Sequence, residues 1–128
     1  MMQPSELLVG KLLPTIRARL AQVLLEKFAL KQIDVARALG ITQAAVSHYN
    51  TRARGLDADI VRRFPEIDVF VDGLAGKIHR GIDRTHQIAL VNAFCLDLMA
   101  TQRFCDHHKK TALIDPNCSV CFSEPPRP

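Results

Sequence analysis

Residues 31–49 read KQIDVARALGITQAAVSHY, from Lys31 to Tyr49. Folded as two short helices around a tight turn, this stretch puts Val35, Leu39, Ile41, Val46 and Tyr49 on one buried side. Three further positions carry the types such a pair needs. Ala36 is small where the two helices cross. Gly40 closes the first helix where a left-handed backbone is required, which glycine adopts without a Cβ clash. Thr42 has a hydroxyl to cap the second helix. Two amphipathic core helices with a glycine stop would account for any one of these positions. The joint pattern of Ala36, Gly40, Ile41-Thr42-Gln43 and Val46 is more specific, and it predicts a helix-turn-helix whose second helix, Thr42–Tyr49, enters a DNA major groove.

The outward face of that second helix supplies the candidate DNA-binding residues. Thr42 opens it, and Gln43, Ala44, Ser47 and His48 are small or polar types able to approach base edges. A glutamine side chain can pair with adenine and an alanine methyl can meet thymine. Arg52 and Arg54, beside Gly55, sit where arginines hold phosphates.

Charge supports a polyanionic partner. The 128 residues carry a net charge of +4. Residues 1–64 hold ten Lys/Arg against five Asp/Glu, whereas residues 65–128 hold seven against eight. The excess lies in the half that contains the expected reading helix, although solvated surfaces also reach such values. No run is long and apolar enough to span a membrane, and the start MMQPSELLVGKLLP lacks the basic-then-apolar order of a secretory signal. These features predict a cytoplasmic protein, in which four cysteines point to metal or redox chemistry rather than structural disulfides. The sequence has no nucleophile–base motif, phosphate-binding glycine loop or paired-carboxylate signature, so an enzyme is not expected.

Helical spacing recurs along the chain. Ser5–Leu13 predicts a short extra helix, and Pro14 suits the first turn of a helix reaching Phe28, with Ile16, Leu20, Val23 and Leu24 inward. Asp57–Phe64 predicts a fourth helix closed before Pro65. Glu66–His79 predicts a fifth, with Ile67, Phe70, Val71, Leu74 and Ile78 on one side. Asp83 caps a sixth that extends to Thr101 or His108. Asp115–Pro128 holds four of the seven prolines and reads as loop and tail. The expectation is therefore an all-α fold. Residues 1–64 form a DNA-binding unit, and residues 65–128 form dimerisation helices with a cysteine-rich metal-binding tail.

Cys95, Cys105, Cys118 and Cys121 follow C-x9-C-x12-C-x2-C. Two ligand sets compete. All four thiolates suit a [4Fe–4S] cluster; Cys105, His108, Cys118 and Cys121 form a Cys3His zinc spacing that leaves Cys95 over. The cluster is favoured because it uses every cysteine. It has a geometric condition: ten residues of unbroken helix would hold Cys95 and Cys105 about 15 Å apart. The helix must therefore break around Ala100–Arg103, or a ligand must come from a partner chain. His79 and His86 are expected to be exposed or capping, and His107 solvated.

The stretch from PSELLVGKLLP through KQIDVARALGITQAAVSHYNTRARG resembles the N-terminal half of small archaeal-type regulators with an XRE-like helix-turn-helix. LAGKIHRG and the later cysteine series resemble their C-terminal region. The resemblance spans nearly the whole chain and implies an all-helical, dimeric transcriptional regulator whose helix Thr42–Tyr49 reads DNA. Family members often have another cysteine shortly before the position of Cys95, where this chain has Asn92; that departure removes a second C-x2-C pair and a symmetrical two-knuckle zinc site. The function expected is a homodimer on a pseudo-palindromic operator in double-stranded DNA, responsive to redox state or iron through its metal centre. The rival is a zinc-stapled protein without sensing, acting as a regulator or as a protein-interaction module.

Overall fold

The computed structural model describes residues 2–56 and 58–123, with the side chains of residues 51–56 outside the description. Within these residues the fold is all-helical. A continuous helical rod opens the chain as α1 (Pro4–Leu7), a π-helical segment (Leu8–Leu12) and α2 (Leu13–Glu26). α3 (Gln32–Leu39), α4 (Gln43–Leu56), α5 (Ala58–Arg63) and α6 (Glu66–His79) follow. α7 (Arg84–Met99), α8 (Gln102–Ala112) and a short 3-10 turn (Val120–Phe122) complete the described chain. No single helix among the described residues is long and apolar enough to cross a membrane.

The rod corrects the expectation of two separate N-terminal helices. Pro14 lies inside a continuous helical path, because the residues on both sides of the π segment keep right-handed helical dihedrals. A proline there removes an N–H and crowds the preceding carbonyls. The π segment's wider i→i+5 bonding relieves that demand, and the Thr15 hydroxyl donates to Lys11 O at 2.7 Å.

α2 is the central strut, packed against α4 on one side and α6 on another. Ile16, Leu20, Ala21 and Leu24 from α2 meet Val35, Val46, Ile67, Val71, Leu74 and Ala75 in one continuous core. α6 has the expected bounds and inward face, except that Phe70 is half-buried and stacks on Phe94 of α7 with centroids 4.2 Å apart. Phe64, fully buried between α5 and α6, packs at 6.3 Å against Phe104 of α8.

Side-chain caps set two boundaries. Asp83 Oδ1 accepts from His86 N at 2.8 Å and starts α7. Thr101 Oγ1 accepts from Phe104 N at 3.2 Å and starts α8. The α7–α8 path therefore breaks at Ala100–Thr101, with a bend of 74°. α4 runs on to Leu56, past the Tyr49 expected from the pattern. No proline interrupts residues 50–56 (NTRARGL), and Arg and Ala are good helix formers.

Candidate nucleic-acid interface and thiol neighbourhood

The α3–α4 pair is built by local rules. Gly40 adopts φ 67°, ψ 34°. Ile41 N donates to Ala36 O at 3.0 Å and Gly40 N to Arg37 O at 3.4 Å, the two bonds of a Schellman turn. Thr42 Oγ1 then accepts from Ala45 N at 3.1 Å and caps α4. Val35, Ala36 and Val46 are buried, with Leu39, Ile41 and Tyr49 half-buried. The first turn of α4 points the other way. Thr42, Gln43, Ala44 and His48 are exposed and Ser47 is half-buried. The exposed start of α4 presents N–H groups that lack partners within the helix, a setting that suits phosphate or another anion. Arg52 and Arg54 lie outside the described side chains.

Two residues that the sequence pattern did not single out lock this pair to the C-terminal half. Arg84 Nη2 donates to Arg37 O at 2.9 Å, and Gln87 Nε2 donates to Ala38 O at 3.1 Å. Both acceptors belong to the last turn of α3, whose carbonyls have no partner within the helix. A cation there also complements the negative end of the helix dipole. The Arg84 guanidinium lies directly over Gly40: a Cβ on that glycine would meet Cζ at 2.7 Å. Only Gln87 carried a local signal. It is a polar residue at a core-facing position of an apolar run, QIALV, and such a residue needs a partner.

The thiols fall into two places. Cys105 is buried on α8, and Cys118 and Cys121 on the returning tail lie within electrostatic reach of it. The tail turns back because Leu113 adopts φ 55° and Ile114 N bonds Lys109 O at 3.2 Å. Lys109 Nζ then donates to Pro116 O at 3.0 Å. Burial pushes the Cys105 thiol up, with Lys109 opposing. His108 is buried and its Nε2 bonds Met2 O at 2.9 Å. A carbonyl only accepts, so Nε2 carries the hydrogen and Nδ1 keeps the lone pair in the neutral ring. Metal-ligating histidines commonly hold their second nitrogen this way.

Cys95 stands apart. It is buried in the core, burial pushes its thiol up, and the charge that opposes this is Arg17 of α2. The helix break required for the four-cysteine cluster is present, yet the structure places Cys95 with α2 rather than with the other three. As placed, the four thiols do not make a cage. No group of three or more His, Cys, Asp or Glu among the described residues stands close enough to hold a metal ion.

The remaining histidines divide. His79 and His86 are exposed, and His86 Nδ1 lies 2.7 Å from Asp83 Oδ1. His107 is not solvated: it is half-buried edge-on to Phe64, with centroids 5.9 Å apart. Burial, then Arg63, depresses its pKa.

No protein-family model, curated protein or solved structure matches the chain.

Proposed function

We propose that the protein is a sequence-specific DNA-binding regulator that works in the cytoplasm, with α3–turn–α4 as its helix-turn-helix and the first turns of α4 as the reading surface. The observation that carries this reading is the division of α4 into a sealed side and an open side. Val46 closes the pair against α2 and α3, while Thr42, Gln43, Ala44 and His48 stand exposed beside a capped helix start. The excess of basic residues in the same half supports it.

One reading helix spans few base pairs, so specificity calls for two on one face of the duplex, about 34 Å apart. A homodimer through α6 and α7 fits this need. Val69 on α6 and Ile88 and Leu96 on α7 are 76%, 64% and 59% exposed, large apolar side chains that a partner copy would cover.

As placed, the described residues form no metal site; were a metal to draw the tail onto α8, the Cys3His set would suit zinc more readily than an iron–sulfur cluster. Cys105 and His108 lie three apart on one helix, and Cys118 and Cys121 return to the same helix, whereas a one-chain cluster must draw Cys95 out of the core. Zinc would then staple the tail, without sensing.

The test is equilibrium binding to a selected operator and to random duplex. Gln43→Ala and Ser47→Ala should weaken operator binding by about 1–3 kcal/mol per lost base pairing and leave random duplex nearly unchanged. Equal losses on both duplexes would remove α4 from base readout.

A further inference from the structure

A cavity of about 350 Å³ lies between α2, α6, α7 and the α3–α4 turn. Its volume is within the range of small-molecule sites. Leu8, Leu13, Leu39, Ile41 and Val91 give it apolar walls. Among the described residues its only charged lining side chains are Arg17 and Arg84, both exposed at its rim. Among the described residues no carboxylate pairs with either arginine; Arg84 bonds the Arg37 carbonyl instead. An apolar chamber with two cations and no acid at its wall is complementary to an apolar molecule with one anionic end. A second observation points to the same place. Leu8 belongs to the π-helical segment and Leu13 follows it directly; π turns recur at functional sites, where they re-aim side chains.

We propose that this cavity binds a small apolar monocarboxylate, its carboxylate between Arg17 and Arg84 and its hydrocarbon part against Leu8, Leu13 and Val91. The two guanidiniums supply charge-assisted hydrogen bonds. The apolar body leaves water for walls that are already formed. The site touches the α3–α4 turn through Leu39, Ile41 and Arg84. A bound carboxylate competes with Arg37 O for the Arg84 guanidinium. On the reading of α4 as a DNA-binding helix, occupancy therefore shifts the last turn of α3 and lowers operator affinity. Linkage requires DNA to weaken the carboxylate by the same factor, about 5–150-fold for ordinary coupling.

The binding step is tested without DNA, so it stands or falls independently of the DNA-binding reading. The full chain is titrated with sodium octanoate by calorimetry, with 1-octanol as the uncharged control, and the contact is mapped by methyl NMR. Octanoate should bind one per chain with a dissociation constant of about 1 mM or tighter, a modest demand for about ten heavy atoms. It should move the Leu8, Leu13 and Val91 methyls. Octanol should bind at least about fivefold more weakly. Arg17→Gln should bring octanoate down to the octanol level and leave octanol unchanged. Val91→Trp, which fills the chamber, should abolish both while circular dichroism shows the helices intact. Equal affinity for octanoate and octanol, an unaltered Arg17→Gln titration, or binding retained in Val91→Trp would overturn the proposal. Binding that vanishes as the chain self-associates would also overturn it, showing that a second copy occupies the cavity. Octanoate binding by a protein that retains no DNA would leave the site standing and remove only the coupling to the operator.

Discussion

Gly40→Ala probes the turn that orients α4, and its magnitude follows from two separate contacts. Gly40 sits at φ 67°, and a residue with a Cβ pays about 1 kcal/mol to hold that region. The new Cβ would also lie 2.7 Å from Arg84 Cζ. A guanidinium at the end of a flexible side chain moves aside at small steric cost, but moving breaks its 2.9 Å bond to Arg37 O. That bond is worth about 1 kcal/mol, so the substitution should destabilise by about 2 kcal/mol in total. Arg84→Ala alone should lose only the bond, about 1 kcal/mol. In the Arg84→Ala background Gly40→Ala should then lose only the backbone part, about 1 kcal/mol. The double-mutant cycle should therefore close with about 1 kcal/mol of coupling. Urea unfolding followed at 222 nm measures all four corners, with an unchanged m-value as the sign that the unfolded state is comparable. Additive effects within about 0.3 kcal/mol would refute the claim that Arg84 holds this turn.

Three further outcomes are expected. His107 has a depressed folded-state pKa, so below its unfolded value of about 6.5 the unfolded chain binds the proton first and stability falls with pH until the folded pKa is passed. His107→Phe should flatten the change in urea midpoint between pH 7.5 and 5.5, and an unchanged slope would show that another group is responsible. Cys105→Ser, Cys118→Ser or Cys121→Ser should each abolish tightly held zinc measured by elemental analysis, whereas Cys95→Ser should keep it; iron lost with Cys95→Ser would restore the four-cysteine cluster. Sedimentation should show a dimer at micromolar concentration that Ile88→Asp and Leu96→Asp shift to monomer, and a monomeric wild type would contradict the α6–α7 interface.

The parts of the fold written in neighbouring residues were legible. Gly40, Thr42 and the inward Val35, Ala36 and Val46 define the α3–α4 pair, because the turn's hydrogen bonds span only a few positions. Asp83 and the apolar spacing of Glu66–His79 worked for the same reason. What the spacing did not reveal depends on distant partners. Arg84 and Gln87 reach back 47 and 49 residues to the end of α3, and neither periodicity nor capping rules address such a bond. Pro14 looked like a helix start because a proline favours one, and the π segment that lets the rod pass through it has no spacing of its own. The cysteine series gave donors but not their directions. The bend at Ala100–Thr101 satisfies the condition set for a four-cysteine centre, yet Cys95 packs towards Arg17.

The most direct measurement of the central claim is selection of duplexes from a random double-stranded pool by the full chain, followed by footprinting of the enriched sequence. The account predicts enrichment of a pseudo-palindrome with half-sites about one helical turn apart. It also predicts that protein carrying Gln43→Ala loses the preference at the contacted base pair. A pool that emerges unenriched, or an enriched site that Gln43→Ala, Ala44→Gly and Ser47→Ala variants bind as well as the wild type, would contradict it.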